Sequence, residues 1–275
     1  MSGKVDLYNS AYGNYGAEVY RQIRVETYGE DLGQTSWATT EESHEIPRTL
    51  GLTADSYVLE IGCGSGRYAL RVAENVGCRI VGIDSNGPGI HTANELAERQ
   101  RMSGQVRFEI GDASKKMPFD DASFDAAFSN DVFCHVPERL SVLRELFRVM
   151  KRGGRMLFSD ALVIGGMISH EEIAIRSSIG YYFFSPPGEN ERLIEEAGLR
   201  LLGVMDTSED AARIAKRWRD ARQKRSGALI AIEGKDNFEG LQRFLSTVHT
   251  LTSERRLLRK VYVAKKPLEN GTSLN

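Results

Sequence analysis

Val58-Leu59-Glu60-Ile61-Gly62-Cys63-Gly64-Ser65-Gly66-Arg67 is the stretch that decides the fold. An apolar, β-branched run enters a turn with three glycines, and a helical pattern leaves it. Glycine belongs where a Cβ would block close approach of backbone to a ligand or where dihedrals are left-handed. The helix that follows points its first amides at whatever lies over the turn. Taken alone, the same glycines also suit any tight strand-to-helix connection. Around this stretch, Tyr57–Ile61, Arg79–Asp84, Val106–Ile110, Phe124–Ser129 and 155–159 read as strands. Helical patterns at 67–75, 89–102 and 137–150 separate them, which predicts βαβ units and a parallel sheet covered on both faces.

Two acids narrow the ligand. Asp84 ends the second strand, where a carboxylate accepts from both hydroxyls of a ribose. Asp112 follows the third strand in Gly111-Asp112-Ala113, where a carboxylate can accept from an adenine amino group. Each alone is an ordinary strand-end carboxylate. Together with the glycine turn they line the crevice in which open α/β sheets bind ligands. A dinucleotide fingerprint needs a third glycine where Arg67 stands. Glu60, just before the turn, would repel a pyrophosphate but suits the ammonium of an amino-acid moiety. The combination points to S-adenosylmethionine rather than a nicotinamide cofactor.

The rest of the 275 residues bounds the function. Hydrophobic residues at 41% and charged residues at 27% are globular values, and no apolar run approaches the roughly 20 residues that span a bilayer. A net charge of −2 argues against a phosphate-neutralising nucleic-acid surface. Cys63, Cys78 and Cys134 have no metal-ligand spacing, and the start Met-Ser-Gly-Lys-Val-Asp has no signal-peptide core, so a cytoplasmic location and no metal are expected. Residues 1–50 are tyrosine-rich and acidic, with a helix expected over 17–28. A helix at 189–197 and strands at 199–204 and 260–264 follow the core. The gap between those strands is basic, with thirteen Lys and Arg against seven Asp and Glu over 209–260. A structureless loop of that length is improbable. The expected organisation is an N-terminal lid (1–50), a core (51–206 with 260–268), an inserted helical cap on the substrate side (207–259) and a frayed tail (269–275).

These motifs resemble those of class I S-adenosylmethionine-dependent methyltransferases. Glu60-x-Gly62-x-Gly64-x-Gly66 resembles the family's first motif, Asp84 its ribose acid, and Gly111-Asp112-Ala113 its adenine-edge motif. Pro118–Asp125 followed by Ser129-Asn130-Asp131 resembles the approach to the fourth strand's end, and Val149–Arg155 the turn before the fifth, with Arg152 where proline is usual. The resemblance implies an α/β, Rossmann-like seven-stranded sheet, mostly parallel with the last strand antiparallel. Small-molecule methyltransferases of the phosphoethanolamine, glycine/sarcosine and tocopherol or quinone type look most similar, through Tyr28–Trp37, Ser129–Val136 and Arg259–Lys266. It implies cofactor contacts from Tyr20, Gln34, Trp37, Ser85, Ala113 and Asn130 beside the motif residues.

His135 follows the fourth strand, where chemistry collects in such sheets. In the phosphoethanolamine-type enzymes the matching histidine works with an N-terminal tyrosine, which makes Tyr15 or Tyr12 the expected partner here. The run Arg213–Arg225 reads either as a clamp for an anionic acceptor or as the solvated face of a helix. No Asn-Pro-Pro-Tyr-like tetrapeptide follows the fourth strand, which disfavours DNA amino-methylation. Two functions fit: an enzyme methylating a small metabolite at N, O or C, or a silent cofactor-binding sensor or partner protein.

Overall fold

The computed structural model describes residues 5–268, so the tail at 269–275 lies outside the described residues. Seven strands form one sheet: β1 (Tyr57–Ile61), β2 (Arg79–Asp84), β3 (Val106–Ile110), β4 (Phe124–Ser129), β5 (Met150–Ile164), β6 (Arg200–Asp206) and β7 (Leu257–Lys265). Their spatial order is β3-β2-β1-β4-β5-β7-β6. The first five pair in parallel, while β7 runs antiparallel to both β5 and β6. The mostly parallel sheet with a reversed last strand is as the motifs implied. Order reverses between β1 and β4, which opens a crevice at the carboxyl ends of those strands.

Alternation along the strands builds two cores. Val58, Ile80 and Phe128 face one side with α4 (Arg67–Val76) and α5 (Gly87–Arg99). Leu59, Ile61 and Phe124 face the other with α6 (Arg139–Val149) and α8 (Glu189–Glu196). Burial on both faces is what makes these strands read as continuous apolar runs.

A third core lies outside the sheet. Here α1 (Tyr8–Gly13) and α2 (Glu18–Tyr28) meet α9 (Ser208–Lys224), α10 (Ser226–Glu233) and α11 (Lys235–Ser253). Tyr28, Trp37, Trp218 and Phe244 interlock there, with ring centroids 5.8–6.3 Å apart. Residues 40–50 carry no predicted element, and Pro47 falls among them. They form α3 (Thr40–Leu50), capped by the Thr39 side chain. Proline removes the donor to the carbonyl four residues back, and the Tyr68 hydroxyl bonds the Ser43 carbonyl instead, at 2.6 Å. A short helix, α7 (His170–Arg176), follows β5 and begins with a Ser169–Glu172 capping box.

One buried ion cluster joins these layers. Arg259 of β7, wholly buried, donates to Asp131 at 2.9 Å, to both oxygens of Glu42 at 2.7 and 2.9 Å, and to the Thr207 hydroxyl at 2.7 Å. Asp131 also accepts from the Trp37 amide and the Ser159 hydroxyl. Removing the guanidinium leaves two carboxylates without their cation in the interior. Arg259→Met is therefore expected to lower stability by about 3–5 kcal/mol in urea unfolding. A loss below about 1 kcal/mol would show that the cluster is not a tie between layers.

Candidate active site

A cavity of about 460 Å³ opens over the carboxyl ends of β1, β2 and β4. That is within the range of small-molecule sites. Its floor is the glycine turn. Gly62 and Gly64 have φ of +75° and +52°. A Cβ at Gly62 would sit 2.1 Å from Val132, and one at Gly64 would sit 2.5 Å from the Tyr12 hydroxyl. The turn is therefore bare for steric as well as conformational reasons. Asp84 ties it to β2, since one oxygen accepts from the Gly64 amide and the other from the Asn86 amide, both at 2.8 Å.

The floor is electrostatically unusual. Glu60 is buried, and its Oε2 has no hydrogen-bond partner. Burial pushes this carboxyl well above its ordinary range, and the nearby Asp84 charge adds to the shift. Asp84 is itself raised by burial, partly offset by the amides that bond it. The Asn130 Oδ1 is a second buried acceptor without a partner. Asp112 differs, being held below its usual range by the Ser114 hydroxyl and amide. A wall of acceptors lacking donors fits a ligand that brings an ammonium and hydroxyl groups of its own.

Most of the expected cofactor residues meet at this cavity: Gln34, Glu60, Gly62, Gly64, Asp84, Ser85, Asp112, Ala113 and Asn130 all line it. Gly66 instead caps α4 behind the floor. Tyr20 and Trp37 do not line it. Tyr20 turns away to bond Ser10 and Glu233, and Trp37 packs in the third core. Gln34 is half committed, its Oε1 accepting from the Leu32 amide.

His135 lies on the 3₁₀ turn Phe133–His135 at the opposite wall. Its Nδ1 meets the Tyr181 carbonyl at 2.9 Å and its Nε2 meets the Tyr8 hydroxyl at 2.9 Å. A carbonyl only accepts, so Nδ1 carries the proton. The Nε2 of the neutral ring then holds a lone pair, which accepts from Tyr8. Burial pushes the imidazole below its ordinary value and holds the Tyr8 hydroxyl well above its own.

The expected tyrosine partner is thus corrected. Tyr15 lies beneath the Arg24 guanidinium, 4.2 Å from its ring, and does not line this cavity. Helix α1 ends at Gly13, so Tyr15 leaves the face that Tyr8 and Tyr12 share. The i,i+4 spacing of Tyr8 and Tyr12 is the signal that would have found them. The second correction concerns the inserted segment. No residue of 207–259 lines the cavity. Its helix α9 backs α2, and the wall comes from Ile179, Gly180 and Tyr181. Within the basic run, Lys216 pairs with Asp220, Arg225 with Glu26 and Arg222 with Glu233. That run offers the cavity no anion clamp.

The chain is similar to known methyltransferases. A family model described as a methyltransferase domain matches residues 59–158. The 27-O-demethylrifamycin SV methyltransferase of Amycolatopsis mediterranei is 28% identical over 206 residues, covering 70% of this chain and 75% of that protein. The sarcosine/dimethylglycine N-methyltransferase of Halorhodospira halochloris is 32% identical over 51% of this chain and 50% of its own. A phosphoethanolamine N-methyltransferase of Haemonchus contortus, solved with S-adenosylhomocysteine, superposes with a TM-score of 0.78. It is 19% identical, over 94% of this chain and 60% of that one, so it bears on the fold alone.

A Rossmann-like sheet with an acid-rich, glycine-floored crevice defines a nucleoside-cofactor enzyme. Residues 59–158 match a methyltransferase domain, and the similarities support an S-adenosylmethionine-dependent methyltransferase with S-adenosylmethionine as its cofactor.

The raised Glu60 carboxyl gives a linkage prediction. A cation placed beside it favours the carboxylate, so binding releases a proton wherever free Glu60 is protonated. Affinity for S-adenosylmethionine is expected to rise with pH through that range, with proton release in calorimetry across several buffers. Glu60→Gln is expected to flatten the slope; an equal slope in that variant would exclude Glu60 as its source.

Proposed function

We propose that the protein methylates a hydroxyl oxygen of an uncharged small molecule, with His135 taking the proton. The observation that carries this reading is the Tyr8–His135 pair, with the Nε2 lone pair directed to Tyr8 at the cavity wall. An amine attacks through its own lone pair, whereas a hydroxyl gains from losing its proton as it attacks. A neutral imidazole fixed in one tautomer is suited to that task.

The charge distribution supports an uncharged acceptor. The charged residues at the cavity wall are Glu60, Arg67, Asp84 and Asp112 on the β1–β3 side, and Asp131 past β4, which is paired with Arg259. The opposite wall is Val136, Pro137, Ile179 and Tyr181, with His135 and Tyr8. A phosphate or carboxylate would find no partner cation there. The Amycolatopsis relative is likewise named for methylation at an oxygen.

In this reading Glu60 and Asn130 hold the amino-acid end of the cofactor, Asp84 its ribose hydroxyls, and Asp112 and Ala113 the adenine edge. Residues 51–206 and 260–268 hold the donor, while 1–50 and the 177–183 loop shape the acceptor side. The cofactor supplies an electrophilic methyl group when bound. The chain's own residues align the acceptor oxygen, exclude water and accept one proton at Nε2, directly or through the Tyr8 hydroxyl. Alignment alone supplies several kcal/mol of rate enhancement.

Incubation with methyl-labelled S-adenosylmethionine and a panel of neutral phenols and alcohols, phosphorylated amines and amino acids tests the reading by product mass. Labelled ethers support it, and label found only in the amines would exclude it. His135→Ala is expected to slow turnover by roughly 10²–10⁴-fold, with cofactor affinity nearly unchanged in calorimetry. Asp84→Ala is expected to show the reverse pattern, losing roughly 1.5–3 kcal/mol of cofactor binding. Equal losses of turnover and affinity in His135→Ala would mark that residue as structural.

A further inference from the structure

Arg176 is a buried charge that the reading above leaves without a role. It ends α7, is 1% exposed, and its Nη1 has no hydrogen-bond partner. The other four buried arginines each make an ion pair: Arg24, Arg139, Arg222 and Arg259 pair with Asp31, Asp160, Glu233 and Asp131. Among the described residues Arg176 makes no ion pair. Instead its guanidinium carbon lies 4.5 Å from the ring centroid of Tyr182, 5.1 Å from that of Phe244 and 5.8 Å from that of Trp37. Aromatic faces attract a cation, but they do not neutralise it. An uncompensated buried charge is costly to keep, so its presence calls for a reason.

The Tyr182 ring leads to that reason. Its centroid lies 4.4 Å from that of the His135 imidazole, with the planes tilted by 35°. Guanidinium, phenol and imidazole are therefore linked through one shared ring, with Tyr8 closing the edge of the imidazole at 5.7 Å and 80°. The remaining charged neighbours are already compensated. Asp131 is held by Arg259 and Ser159, and Asp160 by Arg139, Ser185 and Asn190. Cys134, Tyr8 and Tyr182 are all pushed up by burial and stay uncharged near neutrality. Arg176 is left as the uncompensated fixed charge near the imidazole.

We propose that Arg176 is a positioning residue for His135: seated on Tyr182, its permanent positive charge disfavours an imidazolium and keeps Nε2 unprotonated. The proposal rests on the reading of His135 as the proton acceptor. It explains why a cation rather than an apolar side chain occupies this aromatic box. Burial first, then the Arg176 charge, moves the imidazole down, against the opposing Tyr181 carbonyl, Asp131 and Asp160. The consequence is a base that stays unprotonated in mildly acidic solution.

The test reads His135 in two ways. In nuclear magnetic resonance titration of the intact protein, with His135→Gln identifying the signal, His135 is expected to titrate below about 6.5, the ordinary imidazole value. In Arg176→Met the titration is expected to move up by roughly half a unit or more, and the acidic limb of kcat/KM by the same amount. Arg176→Lys keeps the charge and is expected to stay near the wild-type position. Cofactor affinity serves as the folding control, because Arg176 does not line the cavity. An unmoved titration in a folded Arg176→Met protein would overturn the proposal. Should no neutral variant fold, a wild-type His135 titrating at or above 6.5 would overturn it equally. If the magnetic-resonance titration moves while the kcat/KM limb does not, the coupling stands and His135 is not the base.

Discussion

A single buried guanidinium, Arg259, holds the parts of the site in register. It reaches from β7 to Asp131 just past β4, to Glu42 on α3 and to Thr207 at the start of α9. Asp131 has a φ of +56°, a conformation that Asp tolerates better than most residues, and its carboxylate also takes the Trp37 amide. The bend presents Asn130 to the cavity and starts the turn that carries His135 four residues later. Removing the cation would free the β4 end, the N-terminal segment and α9 at once. The wall opposite the glycine floor exists because these three elements are fixed to one another.

The cavity so formed is electrically polarised. Its β1–β3 side gathers carboxylates, two of them raised by burial and one of these, Glu60, with an oxygen that has no donor, which is the environment a cationic ligand relieves. Its other side offers an imidazole that burial keeps neutral. Methyl transfer consumes the sulfonium charge and releases a proton. A site that favours positive charge at one end and leaves a proton acceptor uncharged at the other suits both events.

The sequence carried the donor half of this arrangement further than the acceptor half. The bounds of β1 to β4 follow from apolar runs closed by Gly, Asp and Asn, and the acids at their ends fall in one crevice by topology alone. The acceptor half depends on long-range contacts that leave no local pattern. Tyr8 meets His135 across 127 positions of chain, and Tyr181 contributes its backbone carbonyl, which every residue has. Tyr15 was misplaced because the end of α1 at Gly13 turns it off the shared face. Tyr20 and Trp37 were misplaced because an aromatic side chain serves an apolar core as readily as a ligand wall. Helix α3 was not predicted; it tolerates Pro47 through the Tyr68 hydroxyl, a donor to the Ser43 carbonyl that lies 25 residues away.

The decisive measurement is a crystal structure of the protein with S-adenosylhomocysteine bound. The amino group is expected over Glu60, the ribose hydroxyls against Asp84, and the sulfur open toward Tyr8 and His135. A sulfur atom facing away from His135, or a ligand whose ammonium lies far from Glu60, would contradict the account at its centre.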